Sequence, residues 1–184
     1  FRQYVSGAGP QAADLHVWFE ADLLPGYAWS FPLPDGRANV GLGVLRGRSG
    51  PGGRTGRLAA DLLNRPALRA VLGEGATAED RMSAWPIPAH LDRAVLAHGP
   101  VLFAGDSAAA TDALTGEGIG QALLTGILAG EAVLAGGPLA GIGRRYEKSV
   151  RHHLLADHRM SVALQRILSR PLGARATLRM AAVS

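Results

Sequence analysis

One segment, residues 101–124 with the sequence VLFAGDSAAATDALTGEGIGQALL, constrains the fold more than any other part of the chain. Val101-Leu102-Phe103-Ala104 is apolar without alternation, which predicts a buried strand of a parallel sheet. Gly105-Asp106 ends it and leaves a carboxylate at the strand's C-terminal end, where open α/β sheets hold their ligands. Ala108, Ala109 and Ala110 leave room for a bulky group to lie across the backbone. Thr115-Gly116-Glu117-Gly118 then opens a helix to about Ala135, stopped by Gly136-Gly137-Pro138. The unpaired N–H groups at such a helix start attract negative charge. A carboxylate that accepts from hydroxyls, beside an anion-friendly helix end, suits a polyol-bearing, electron-accepting cofactor. Taken singly the residues have plainer uses. Asp106 could be a cap or turn former, and Glu117 follows from the helix dipole alone. The glycine string is not a dinucleotide fingerprint, because no strand runs directly into it and no βαβ unit follows.

The first 45 residues carry a different pattern. Leu15, Val17 and Phe19 alternate with His16 and Trp18. Pro25-Gly26 marks a turn, Tyr27-Ala28-Trp29-Ser30-Phe31 a strand, Pro34-Asp35-Gly36 a hairpin, and Ala38–Val44 the return strand. About four antiparallel strands are expected. A Gly/Arg-rich loop spans 47–56, a helix is predicted over 55–71, and an extended run covers 78–88. A long helix is predicted over Leu139–Ser169, ending before Pro171, with a short one over Gly173–Ala182. Tyr27, Trp29 and Phe31 share one strand face. On the pattern alone that face is either ordinary sheet core or a cavity wall. Gly126 and Gly130 leave a smooth helix face, expected to pack against another element.

The 101–124 segment resembles the second cofactor-binding motif of flavoproteins with the para-hydroxybenzoate hydroxylase type of fold, and is most similar to geranylgeranyl reductases. The matching residues are Gly105-Asp106-Ser107-Ala108-Ala109 and Asp112-Ala113-Leu114-Thr115-Gly116-Glu117-Gly118-Ile119. A second likeness lies upstream, in Pro25-Gly26-Tyr27-Ala28-Trp29-Ser30-Phe31-Pro32 and Asn39-Val40-Gly41-Leu42-Gly43. The likeness covers about residues 1–150. It implies an α+β fragment: an antiparallel sheet from a substrate domain (1–88), the C-terminal strand and helix of a Rossmann-like FAD domain (89–135), and C-terminal helices (136–184). It implies FAD as cofactor, with Asp106 on the ribityl hydroxyls, Gly105 in the turn, and the backbone of Gly116, Glu117, Gly118 and Ile119 facing the flavin. It implies that Tyr27, Trp29 and Phe31 line a cavity for an isoprenoid or other hydrophobic substrate. The activity implied is reduction of isoprenoid C=C bonds. A flavin monooxygenase acting on an aromatic or polyketide substrate, and a catalytically inert fragment, are the alternatives. No catalytic side chain is identified. Ala113 and Ala109 depart from the Pro and Gly usual at those positions.

The opening Phe1-Arg2-Gln3-Tyr4-Val5 enters a strand in mid-stride, so the chain is expected to be part of a longer protein whose N-terminal half carries the GxGxxG unit. Its 184 residues are 47% hydrophobic and 18% charged, a globular composition. Having no cysteine, it excludes a disulfide scaffold, a thiolate zinc site and a cysteine nucleophile. Eighteen of the nineteen basic residues are arginine, and the net charge is +4. Residues 144–184 hold nine basic and two acidic side chains, a net of +7. A solvated helical face is the plain account of that tail, and peripheral membrane contact through the basic C-terminal helices is the functional one. No aromatic residue follows Tyr146, which argues against nucleic acid. A cytoplasmic location with membrane association is expected. His152, His153, Asp157 and His158 cluster on one helix, with His153 and Asp157 read as a surface pair and no metal site expected.

Overall fold

The computed structural model describes residues 1–45 and 54–169. The chain is α+β and divides into two compact units, Phe1–Trp85 and Pro86–Ser184. Most of the Gly/Arg-rich loop over 47–56 and the helix expected over 173–182 lie outside the described residues.

The first unit is built on five strands: β1 (Arg2–Ser6), β2 (His16–Trp18), β3 (Tyr27–Leu33), β4 (Arg37–Gly43) and β5 (Thr77–Ala78). Their order is β2-β3-β4-β1-β5, antiparallel throughout. Asp35 and Gly36 both take positive φ, 62° and 67°, which closes the β3–β4 hairpin at the expected place. Because side chains alternate across a strand, Ala28, Ala38, Val40, Leu42 and Val5 all reach the same buried core, where they meet Leu62, Leu68 and Leu72.

The helix expected over 55–71 is broken. The structure has α1 (Arg54–Ala60), a 3-10 turn at Leu62–Asn64, and α2 (Pro66–Leu72). Pro66 is the cause: the residue before a proline is excluded from the helical region, and Arg65 sits at φ −64°, ψ 128°. Arg65 is buried and donates to Glu20 and, at 2.6 Å, to Asp22. This ion pair fastens the β2–β3 loop to the start of α2. Burial pushes the guanidinium pKa down.

The second unit begins with extended chain and a 3-10 turn at Leu91–Arg93, then a small hairpin of β6 (Ala97–His98) and β7 (Val101–Leu102). The expectation of a parallel strand at 101–104 is corrected here. Only Val101–Leu102 is strand, it pairs antiparallel with β6, and Val101 is 47% exposed. Gly99-Pro100 turns the chain back on itself, so the run takes its local antiparallel neighbour, and with one neighbour it stays half open. A 3-10 turn at Gly105–Ala108 follows, then α3 (Ile119–Leu134) and α4 (Leu139–Leu168).

Leu91, Leu96, Ala108, Leu128, Ala132, Tyr146 and Val150 make this unit's core. Tyr146 is fully buried, and its hydroxyl donates to the Phe103 carbonyl, so α4 holds the end of the hairpin. Arg145 donates to the carbonyls of Ala132 (3.0 Å) and Gly136 (2.6 Å). A cation there satisfies the orphan carbonyls at the end of α3. The outward face of α3 is apolar: Ile119, Leu123, Ile127 and Leu134 are exposed. A Cβ added at Gly126 or Gly130 would meet nothing within 4 Å, so that smooth face packs against no described element.

Candidate functional site

Gly105 takes φ +57°, the left-handed region that favours glycine, and turns the chain sharply out of the hairpin. Its buried N–H donates to Thr125 Oγ1 at 2.9 Å, and that hydroxyl donates back to the Gln121 carbonyl at 2.7 Å. The turn is therefore fixed to α3 by a threonine that motif reasoning overlooked. Asp106 projects from this turn into solvent. One of its oxygens accepts from Thr111 Oγ1 at 2.9 Å. Ala109 closes the turn at φ +50°, a left-handed position occupied by a residue with a Cβ.

The loop from 111 to 118 is shaped by Asp112. Its Oδ1 accepts from the amides of Leu114 (3.0 Å) and Thr115 (2.8 Å) and from Thr115 Oγ1 (2.9 Å). Its Oδ2 accepts from the hydroxyl of Ser161 on α4, and Gln165 of the same helix donates to the Ala113 carbonyl. Burial works to raise the Asp112 carboxyl; the hydrogen bonds from Ser161, Thr115 and Leu114 outweigh it and hold the pKa below the ordinary carboxylate value. Aspartate followed two and three residues later by amides it can reach is the Asx-turn signal, and that spacing is visible in the sequence.

Helix α3 starts at Ile119, four residues later than the glycine pattern suggested. Gly116 takes φ +74°, and its amide donates to the Asp112 carbonyl at 3.0 Å. The Glu117 amide donates to Thr115 Oγ1 at 3.2 Å. Both amides thus belong to the loop. Those of Gly118 and Ile119 have no acceptor among the described residues, and Gly118 caps the helix without a side-chain hydrogen bond. Glu117 Oε1 accepts from the Gly120 amide at 3.2 Å, which places its carboxylate at the positive helix end. The space above Gly118 is tight: a Cβ there would come within 3.2 Å of Thr111 Oγ1 and 3.4 Å of Asp106 Oδ1. Gly105, Asp106, Gly116, Glu117, Gly118 and Ile119 are therefore gathered on one unit around one loop. An open depression of about 300 Å³ lies beside this turn, lined by His90, His98, Phe103, Ser107 and Ala109 among others. Neither histidine stood out in the sequence.

The aromatic trio lies on the first unit. Ala28 and Ser30 face the core, so Tyr27, Trp29 and Phe31 occupy the opposite face of β3 and are no part of the core cluster. Neighbouring rings stand 5.9 Å apart centre to centre, Trp29 on Phe31 and Tyr27 on Trp29, and Phe19 extends the row at 5.8 Å from Tyr27. The partner strand explains the Asn-x-Gly-x-Gly spacing. Register pairs Phe31 with Asn39, Trp29 with Gly41 and Tyr27 with Gly43. A Cβ at Gly41 would fall inside the Trp29 indole, so glycine lets the ring lie across the sheet. Trp29 Nε1 donates to Asn39 Oδ1 at 3.3 Å. The row of tilted rings, with the indole lying over Gly41, makes an apolar wall.

The histidine cluster behaves otherwise than expected. His153 bonds to the Ser149 carbonyl at 2.8 Å, not to Asp157, because side chains on a helix lean back toward its N-terminus. His158 is buried and pairs with Asp92 at 3.3 Å. Among the described residues no group of three or more His, Cys, Asp or Glu is placed to hold a metal ion. None of the described helices is long and apolar enough to cross a membrane.

No family model matches the chain. The chain is 39% identical over 113 residues to a digeranylgeranylglycerophospholipid reductase of Methanothrix thermoacetophila, covering 61% of this chain and 27% of the relative. It is 34% identical over 127 residues to digeranylgeranylglycerophospholipid reductase 1 of Methanopyrus kandleri, covering 68% and 32%. A menaquinone reductase of Mycolicibacterium smegmatis matches at 32% over 130 residues, covering 64% and 28%. Each alignment thus spans about a third or less of the curated relative. A geranylgeranyl bacteriochlorophyll reductase-like crystal structure from Thermoplasma acidophilum superposes with a TM-score of 0.63 at 20% identity, over 91% of this chain and 42% of that one. This chain is accordingly a homologue of geranylgeranyl reductase-type proteins, sharing their fold and matching part of their length.

Proposed function

We propose that the chain is part of a flavin-dependent oxidoreductase that reduces C=C bonds of an isoprenoid chain. Residues 1–88 would serve the substrate, 89–135 the flavin, and 136–184 would form a helical flank. The relatives are named for a digeranylgeranyl lipid and for menaquinone, both of which carry isoprenoid chains. The observation that carries the reading is the loop with Asp106 exposed beside the two amides, of Gly118 and Ile119, that have no acceptor among the described residues.

The residues present fit FAD. Asp106 would accept from the ribityl hydroxyls. The Gly118 and Ile119 amides, at the positive end of α3, would donate to the electron-rich edge of the isoalloxazine. When bound and reduced by an electron donor, the flavin would supply the hydride equivalent for double-bond reduction. Tyr27, Trp29 and Phe31 would hold the isoprenoid chain on their ring faces without hydrogen bonds, which suits a substrate that has none to offer. The exposed face of α3 would pack against the N-terminal half of the longer protein. It carries no lysine or arginine and suits a protein interior.

The test uses the longer protein containing this chain. Its purified form shows the visible flavin bands, and Asp106→Ala weakens FAD binding by tenfold or more, read by flavin fluorescence on titration. Anaerobic incubation with dithionite and a geranylgeranyl lipid yields saturated product by mass spectrometry. Substrate-dependent oxygen uptake would identify a monooxygenase instead, and a protein that stays colourless with FAD would overturn the cofactor assignment.

A further inference from the structure

Leu154, His158, Ser161 and Gln165 recur at i, i+4, i+7 and i+11, so one side of α4 carries all four. Leu154 packs against the core of the second unit. The other three are polar, and each meets chain that precedes α3. His158 pairs with Asp92, Ser161 donates to Asp112 Oδ2, and Gln165 donates to the Ala113 carbonyl. Ser161 is only 8% exposed. A helix side that served packing alone would be apolar here, because a buried hydroxyl costs free energy unless it is paired. The last two polar side chains converge on one dipeptide, Asp112-Ala113.

Asp112 holds the rest of the loop with its backbone. Its N–H donates to the Glu117 carbonyl at 2.9 Å, and its carbonyl accepts from the Gly116 N–H at 3.0 Å. The first of these bonds has a direction built into it. A trans peptide is planar, with its C=O and N–H on opposite sides. Fixing the Glu117 carbonyl on Asp112 therefore turns the Gly118 N–H away from the loop. That N–H is one of the two with no acceptor among the described residues. Gly118 has no Cβ to resist rotation of the plane, so the contact with Asp112 selects its orientation. The circuit closes at Asp106. Thr111, next in the chain to Asp112, donates from Oγ1 to Asp106 Oδ1 at 2.9 Å. A Cβ on Gly118 would lie 3.4 Å from the same oxygen. The carboxylate and the aimed amide are thus set against each other through Thr111-Asp112.

We infer that Ser161 and Gln165 are positioning residues for the flavin site: by holding Asp112-Ala113 they keep the Gly118 N–H directed at the electron-rich edge of the cofactor. The inference rests on the flavin reading given above. A donor aimed at that edge favours the reduced, more electron-rich form, so α4 raises the reduction potential without touching the cofactor. If both side chains only held the fold together, their loss would lower stability and leave the potential alone.

The experiment compares the longer protein containing this chain with its Ser161→Ala/Gln165→Met double variant and with Val150→Ala. Val150 is fully buried in the same unit and offers the loop no polar atom, so it controls for lost stability. Without FAD, amide hydrogen exchange at Asp112 and Gly116 quickens about tenfold in the double variant, beyond any change in Val150→Ala. With FAD bound, the midpoint potential of the double variant, read by absorbance against redox dyes, falls by about 30 mV, a tenfold loss of preference for the reduced form. Val150→Ala keeps the parent potential. Should the double variant not fold, Gln165→Met alone, similar in volume and at a half-buried position, shows a smaller shift of the same sign. Exchange unchanged from the parent would overturn the hold of α4 on the loop. Faster exchange with an unchanged potential, or an equal potential shift in Val150→Ala, would overturn the positioning role. A protein that takes up no FAD would overturn the cofactor assignment and the positioning role with it, while the exchange result, which needs no flavin, still decides the hold of α4 on the loop.

Discussion

Asp112 uses both carboxylate oxygens inside the protein, one on the loop and one on α4. Its depressed pKa means the folded state binds its proton less readily than the unfolded chain does. The resulting stability is present above the unfolded carboxylate pKa and is lost as pH falls through the folded value. Asp112→Asn removes the charge from at least three hydrogen bonds and should cost about 2 kcal/mol at neutral pH. That difference should shrink in acid, where the parent is protonated too; denaturant titrations at both pH values check it. Two backbone positions nearby make a contrast. Gly105→Ala adds a Cβ at φ +57° and 3.0 Å from Ala122 Cβ, which should lower stability by about 2 kcal/mol. Ala109→Gly relieves about 1 kcal/mol of left-handed strain but gives the unfolded chain comparable freedom. It should be nearly neutral in the same measurement.

At the level of elements, β3 and β4 act as one device. The alternation in Tyr27–Phe31 told that the three rings share a face, but not which face, since Ala28 and Ser30 are small enough for either side. The register decides it: Val40 and Leu42 fill the core, so Gly41 and Gly43 lie on the face of the rings, and the Trp29 indole covers Gly41. Gly41→Ala should displace the Trp29 indole, lower stability by about 2 kcal/mol and diminish near-UV circular dichroism from the stacked rings. Sheet, hairpin turn and both long helices were legible because each rests on local signals such as alternation, Asp-Gly and 3.6-residue periodicity. The antiparallel pairing of Val101–Leu102 was not, since an apolar run of that length fits either kind of sheet. The Arg65 clamp was not legible either, because its partners lie more than forty residues away.

At the scale of the whole molecule the described residues form two separate cores, one around Val40 and Leu42 and one around Leu96 and Tyr146. Val40→Ala and Leu96→Ala should each cost about 2–4 kcal/mol, with each loss confined to its own core. Native-state hydrogen exchange should show protection falling in β3 and β4 for the first and in α3 and α4 for the second. The candidate residues divide the same way. The loop that starts at Gly105 was legible as a motif on the second unit. Its supports, Thr125, Ser161 and Gln165, were not, because they come from helices twenty to fifty-two residues further along.

Trp29, laid flat over Gly41 with its indole N–H tied to Asn39, makes the protein its own optical sensor. Of the three tryptophans, Trp85 is 81% exposed and emits as in water, and Trp18 packs against the core from the other side of the sheet. With Trp18→Phe and Trp85→Phe in place, emission would come from the one ring that the proposed function has an apolar chain cover. A blue shift on adding a long isoprenoid alcohol would then report occupancy of that wall directly, with no turnover and no bound flavin required.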